Sequence, residues 1–118
     1  MLGLHWIGEG YECSVSALTL ANIEQTLSIV PAALGLMTVS SPVLHSHADG
    51  SCAGVILLAE SHLSLHCHTR DAWIHADLFS CVAFDTQHTK QLLTERFGVA
   101  TWRESLLTRG VQAPSPKL

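Results

Sequence analysis

The sequence predicts an α+β domain: a two-layer sandwich in which a mainly antiparallel sheet carries two helices on one face. Three observations lead there. Residues 62–68 alternate strictly, with His62, Ser64, His66 and His68 on one face and Leu63, Leu65 and Cys67 on the other, which is the period-two pattern of a strand with one polar face. Residues 73–82 alternate again, with Trp73, His75, Asp77, Phe79 and Cys81 sharing a face. Two stretches with helical spacing are separated by runs of strand-like sequence, an order that favours α+β over a parallel βαβ sheet.

Taken in order, Leu2 to Ile7 is a short apolar first strand containing His5, after which Gly8 and Gly10 loosen the chain. Ser14 or Ser16 is placed to cap a helix running through Leu18, Ala21, Ile23, Leu27 and Val30. Pro31 kinks that helix or starts a last short turn, and Gly35 ends the unit. Leu36 to Leu44 reads as a second strand broken by Pro42, which suits an edge or a bulge. His45 to Gly50 is a polar loop with Asp-Gly turn chemistry. The apolar run Gly54 to Leu58 is a buried strand, and the alternating stretch from His62 follows it. Arg70-Asp71 turns the chain into the strand from Trp73 to Val82. Thr86 caps a second helix through Leu92, Leu93 and Phe97, closed by Gly98. Val99 to Leu107 is the last strand. Residues 1–110 form one domain, and the tail 111–118, with two prolines, is expected to be disordered.

Composition narrows the function classes. A chain of 118 residues supports one domain with one core. With 47% hydrophobic and only 14% charged residues, much apolar surface is left to cover, which points to an oligomer. A formal net charge of −4, with no basic run, argues against a nucleic-acid partner. No apolar run approaches the roughly twenty residues of a membrane span, and the start lacks the basic-then-apolar order of a signal peptide. A cytoplasmic protein with four free thiols, Cys13, Cys52, Cys67 and Cys81, is the expectation.

The stretch Ala59-Glu60-Ser61-His62-Leu63-Ser64-Leu65-His66 carries the chemistry. Glu60-Ser61 falls where one strand must turn into the next. A serine at a strained junction beside several imidazoles suggests a reactive hydroxyl; an ordinary hairpin corner with surface histidines is the alternative. His45 and His47, with His62, His66, Cys67 and His68, offer the parts of a zinc site, but no Cys-x-x-Cys accompanies them and no metal is expected. Ser-His-Asp hydrolysis lacks its Gly-x-Ser-x-Gly elbow at Ser61. His75 and His88 read as surface or partly buried residues.

These residues resemble a known family. Ala-Glu-Ser-His-x-Ser-x-His, followed by Asp77-Leu78-Phe79-Ser80-Cys81, is similar to the bacterial and archaeal S-adenosylmethionine decarboxylases. The opening Gly3-x-His5-x-x-x-Glu9-x-Tyr11-x-Cys13 resembles that family's Gly-x-His-x-x-x-Asp-x-Tyr-Gly-Cys. The resemblance covers Gly3 to Gly110. It implies a self-processing, pyruvoyl-dependent carboxy-lyase of polyamine biosynthesis, assembled as a dimer of processed protomers, with neither pyridoxal phosphate nor a metal. Cleavage between Glu60 and Ser61 would give a β chain, residues 1–60, and an α chain, residues 61–110 plus the tail. Ser61 becomes the pyruvoyl group, which forms a Schiff base with a substrate amine. By the same resemblance His66 serves processing and positioning, and Cys81 returns a proton to the substrate α-carbon.

Departures from the family pattern affect the substrate. The processing serine eight positions before the pyruvoyl serine is Ala53 here, with Ser51 or Cys52 as possible substitutes. His45 keeps the histidine of Phe-His-Lys-Phe, but His47 replaces the second phenylalanine. Thr-Trp-Pro-Glu becomes Cys67-His68-Thr69-Arg70, so an adenine-stacking tryptophan and a ribose-binding glutamate are both gone. Arginine cannot accept hydrogen bonds from a ribose. Relatives that act on arginine or ornithine suggest a basic amino acid as substrate, with S-adenosylmethionine as the alternative. Glu9, Asp49 and Asp71 are candidates to meet a cationic tail, and Arg70 a carboxylate. The non-enzyme alternative, motivated by Ala53, is an unprocessed regulatory homologue.

Overall fold

The computed structural model describes residues 3–110; the readings of Leu2 and of the tail 111–118 lie outside these. One antiparallel sheet of six strands is built from β1 (Gly3–Tyr11), β2 (Val43–Ser46), β3 (Cys52–Leu58), β4 (Ser61–His68), β5 (Trp73–Ser80) and β6 (Thr101–Arg109), in the spatial order β2-β3-β4-β5-β1-β6. Helices α1 (Leu20–Ala33) and α2 (Thr86–Phe97) join the other elements of the chain. Ile23, Leu27 and Val30 of α1 and Leu93 and Phe97 of α2 are buried, and with them one residue in two along each central strand: Trp6, Ile56, Leu63, Leu65, Ile74 and Leu78. The two-layer α+β sandwich expected from the alternation is therefore the observed one.

The helices are tied to each other by polar side chains. Asn22 Nδ2 donates to the Arg96 carbonyl at 2.8 Å, and Arg96 Nε donates to Thr26 Oγ1 at 3.0 Å. The fully buried Thr26 hydroxyl also donates to the Asn22 carbonyl at 2.6 Å, so it is paired both as donor and as acceptor. Among the described residues no helix is long and apolar enough to cross a membrane.

Several boundaries differ from the expectation for identifiable reasons. The first strand does not loosen at Gly8 and Gly10 but runs through both to Tyr11. A side chain at Gly8 would collide with the Trp6 and Trp102 rings, and one at Gly10 with Ile74 and Val99, so large neighbours occupy the space that these glycines leave. Neither Ser14 nor Ser16 caps α1. They lie around a short 3₁₀ turn, Val15–Ala17, with their hydroxyls 3.1 Å apart, and Thr19 Oγ1 accepts from the Asn22 amide instead. Pro31 stays inside α1, in its final turn. Only Val43–Ser46 of the second strand region is regular, so His45 belongs to a strand and not to a loop; Thr38 makes an isolated bridge to Leu58. Asp85, not Thr86, caps α2, accepting from the His88 amide. The strand from Trp73 ends at Ser80, which leaves Cys81 beyond it. The last strand begins at Thr101 and extends to Arg109.

Candidate active site

Strand β3 ends at Leu58 and β4 starts at Ser61, its register partner, so Ala59 and Glu60 form the whole turn. The turn is held from outside by the Ala59 amide, which donates to the Met37 carbonyl at 2.9 Å. Ser61 Oγ is buried there with no hydrogen-bond partner. A buried, unpaired hydroxyl costs free energy and needs a reason to persist. On its other side Ser61 is in register with Ser80, the residue before Cys81. Ser80 Oγ accepts from the Val82 amide at 3.0 Å, closing a bend that carries Cys81 out of the strand. Half-buried Cys81 lines a cleft of about 300 Å³ together with Gly3, Ser80, Val82 and Phe84. Ser61 and Cys81 thus lie at the same end of the sheet.

His66 is elsewhere. It is five positions from Ser61, an odd number, so the two side chains leave β4 on opposite faces. Ser61 has the parity of buried Leu63 and Leu65, whereas His66 is exposed on the face that carries no helix. Five residues at roughly 3.3 Å each also place it about 16 Å along the strand.

Around His66 the open face holds an aromatic cluster. Trp73 stacks on His75 with centroids 4.0 Å apart and on His68 at 5.2 Å, and meets His66 edge-on at 5.3 Å. His47 packs edge-on against His45 at 4.5 Å and lies 6.4 Å from His66. A second cleft, about 440 Å³, runs over this face between Val43, His45, Ser64, His66, His75 and Asp77. Among the described residues no three His, Cys, Asp or Glu side chains converge as metal ligands.

Acidic groups border the cluster. His68 lies 3.7 Å from Asp49 and 3.3 Å from Asp71. The Asp71 contact is an ion-pair distance without hydrogen-bond direction, since His68 Nδ1 is buried and has no hydrogen-bond partner. Hydrogen bonds from the Ser51 hydroxyl and amide hold the Asp49 carboxyl below the usual range. Burial, then the neighbouring His75, His47 and His68, push the His66 imidazole down, so it stays neutral to lower pH than a free histidine. Glu9 faces both His75, at 3.9 Å, and Arg103, at 3.6 Å, while Asp77 is bonded to His5 at 3.1 Å. Arg70 is exposed in the β4–β5 turn.

The sequence-predicted residues therefore form two groups. Glu60, Ser61 and Cys81 lie at one end; Glu9, His45, His47, His66, His68 and Arg70 lie towards the other. Cys81 does not continue the strand face of His75 and Asp77, because the Ser80 bend interrupts it. Ser51 and Cys52 do not replace the hydroxyl missing at Ala53: Ser51 is engaged by Asp49, and Cys52 points into the core, whereas Ala53 lies opposite His66 on the open face. Trp73 and His75 were not singled out as site residues, although both share the parity of Asp77.

Comparison with known proteins agrees with this architecture. The family model described as S-adenosylmethionine decarboxylase matches residues 4–110. The S-adenosylmethionine decarboxylase proenzyme of Acetivibrio thermocellus is 26% identical over 111 residues, covering 93% of this chain and 90% of that one. The proenzyme of Oceanobacillus iheyensis is 28% identical over 81 residues, 69% of this chain and 64% of that one. The crystal structure of the adenosylmethionine decarboxylase from Aquifex aeolicus superposes with a TM-score of 0.83 at 19% identity, covering 97% of this chain and 95% of that one, which is a likeness of fold.

Proposed function

The chain belongs to the S-adenosylmethionine decarboxylase family, whose members are pyruvoyl-dependent carboxy-lyases made as proenzymes, and we propose that it cleaves itself between Glu60 and Ser61 and decarboxylates a basic amino acid, arginine or ornithine. The observation that carries self-processing is the buried, unpaired Ser61 Oγ immediately after the Ala59-Glu60 turn. Oγ attacks the Glu60 carbonyl carbon, the C–N bond gives way to an ester, and elimination releases residues 1–60. Hydrolysis of what remains at position 61 yields the pyruvoyl group and ammonia. The cleft lined by Ser80 and Cys81 lies next to position 61, whose register partner is Ser80, and leaves room for a small substrate there. When formed, the pyruvoyl group supplies an electrophilic carbonyl and an electron sink for loss of carbon dioxide. Cys81 Sγ holds the proton that returns to the substrate α-carbon.

Because Ser61 and His66 are about 16 Å apart along β4, His66 serves the Glu60-Ser61 turn of a second copy. Val43 and Leu57 on the open face are 67% and 54% exposed, and Leu107 on its far edge is 49% exposed, an apolar area suited to a partner. Ser64 lies between Ser61 and His66 on β4. A two-fold axis near it turns the His66 end of one open face towards the Glu60-Ser61 turn of the other, where the imidazole would meet the scissile peptide and not the Ser61 hydroxyl on the helix side. The working unit is then a homodimer of processed protomers in the cytoplasm, with His45, His47, His68 and Arg70 of the partner subunit walling the substrate site.

The substrate reading is supported by what lines that wall. Position 68 is an imidazole and position 70 a guanidinium, while Asp49 and Asp71 stand beside His68 and Glu9 beside His75. These carboxylates suit an ammonium or guanidinium tail. Trp73 favours a second reading. Its indole, stacked with His75 and His68, forms an aromatic wall with them that would help to hold an adenine and so favours S-adenosylmethionine, the substrate in the relatives' names. The test is kcat/KM for arginine, ornithine and S-adenosylmethionine on one processed sample. A tenfold advantage for either amino acid supports the proposal; a tenfold advantage for S-adenosylmethionine overturns it.

A further inference from the structure

Cys52 and Cys67 stand directly opposite each other on β3 and β4. Their sulfurs are 3.0 Å apart, and both residues are buried, Cys52 at 3% exposure and Cys67 at 0%. Opposed residues of an antiparallel pair have Cα atoms about 4.5–5.5 Å apart, within the range a disulfide spans, so closing the sulfurs by about 1 Å needs no change of register. The pair also straddles the Glu60-Ser61 bond. Cys52 belongs to the β chain and Cys67 to the α chain, so after processing a bond between them joins two chains that otherwise share no covalent link.

We propose that Cys52 and Cys67 form a reversible disulfide that staples the two processed chains together when the protein meets a disulfide oxidant. The step is thiol–disulfide exchange with a low-molecular-weight disulfide. One cysteine sulfur attacks the external S–S bond and releases one thiol. The second cysteine sulfur displaces the other thiol from the mixed disulfide. Two protein thiols are oxidised, one external disulfide is reduced to two thiols, and the cysteine protons go to the departing thiolates. Burial and the neighbouring Cys52 push the Cys67 thiol up to about 12, which disfavours its thiolate and makes the exchange slow in the closed fold. The short edge strand β2 flanks β3 on that side and pairs with Cys52 through Ser46, so local opening at this edge of the sheet is the route we assign to the oxidant. Cys13 donates to the Gly10 carbonyl at 3.6 Å, and Cys81 lies at the other end of the sheet. Neither is placed as Cys52 is, opposite Cys67.

The interchain staple rests on self-cleavage at Glu60-Ser61; the disulfide itself does not. Purified wild-type protein is incubated with oxidised glutathione, denatured, alkylated and weighed without reductant. The expected product is one species whose mass is the sum of both chains less two hydrogens, with two of the four cysteines protected from alkylation. Dithiothreitol should release two chains, and both Cys52→Ser and Cys67→Ala should abolish the link. If the chain proves unprocessed, digestion after Glu60 followed by the same weighing reads the bond independently. Four alkylated cysteines after oxidant, glutathione adducts without a cross-link, or a link that maps to Cys13 or Cys81 would overturn the proposal. If both variants fold poorly, the mapped link in wild type still decides.

Discussion

Co-expression of a Ser61→Ala copy with a His66→Ala copy asks whether one site is built from two chains. Within one chain the two side chains leave β4 on opposite faces, about 16 Å apart along the strand. A group that moves a proton must come within about 3 Å of it. Rotamer changes do not bridge that gap, so the proposed role of His66 requires a second copy. Each variant alone should be inactive. Paired at random, about half of the dimers are mixed, and each mixed dimer holds one complete site of two, giving roughly a quarter of wild-type decarboxylation per chain. Carbon dioxide release, with cleavage read on a denaturing gel, measures it; only the His66→Ala copy should be split. Activity in the mixture no higher than in either variant alone would refute the shared site. So would near-full activity of His66→Ala by itself.

Gly54→Ala puts a methyl carbon 2.8 Å from Leu27 Cδ1 and Leu44 Cδ2 and 2.9 Å from Ile23 Cγ2. With Ile23 and Leu27 fully buried, this overpacking should cost about 1–3 kcal/mol in urea unfolding, and an unchanged midpoint would contradict it. The His66 pKa is lowered in the folded state, so below about pH 6.5 the unfolded chain binds the proton first and stability falls with pH. His66→Gln should flatten the stability curve between pH 7 and the folded pKa; an equal slope in both proteins would remove His66 as the cause. Cys81→Ser should still be split but turn over about a hundredfold more slowly, and unchanged turnover would take Cys81 out of the mechanism.

The central strands were legible because their alternation is uninterrupted: one face of β4 and β5 is apolar and the other polar, and nothing long-range is needed to read that. Gly8 and Gly10 were misread because what keeps them in a strand is the bulk of Trp6, Trp102, Ile74 and Val99, which reaches them only in the folded sheet. Ser14, Ser16 and Thr19 are all chemically able to cap α1. The choice is made by the 3₁₀ turn, which leaves Thr19 next to the first helical residue. For the site, the motif proposes Ser61, His66 and Cys81, and the odd spacing from Ser61 to His66 implies opposite faces of one strand. Trp73 and His75 could have been found the same way, since they share the parity of Asp77. The Ser80 bend that carries Cys81 out of line depends on a single hydroxyl–amide bond and left no sequence pattern.

Intact mass spectrometry of the purified wild-type chain beside Ser61→Ala tests self-processing most directly. Wild type should give two species, one ending at Glu60 and one beginning at position 61, the latter lighter than a serine-terminated chain by one ammonia. Ser61→Ala should give one uncut chain. A single full-length wild-type species, or a Ser61→Ala chain split at the same bond, would contradict a pyruvoyl group made from Ser61.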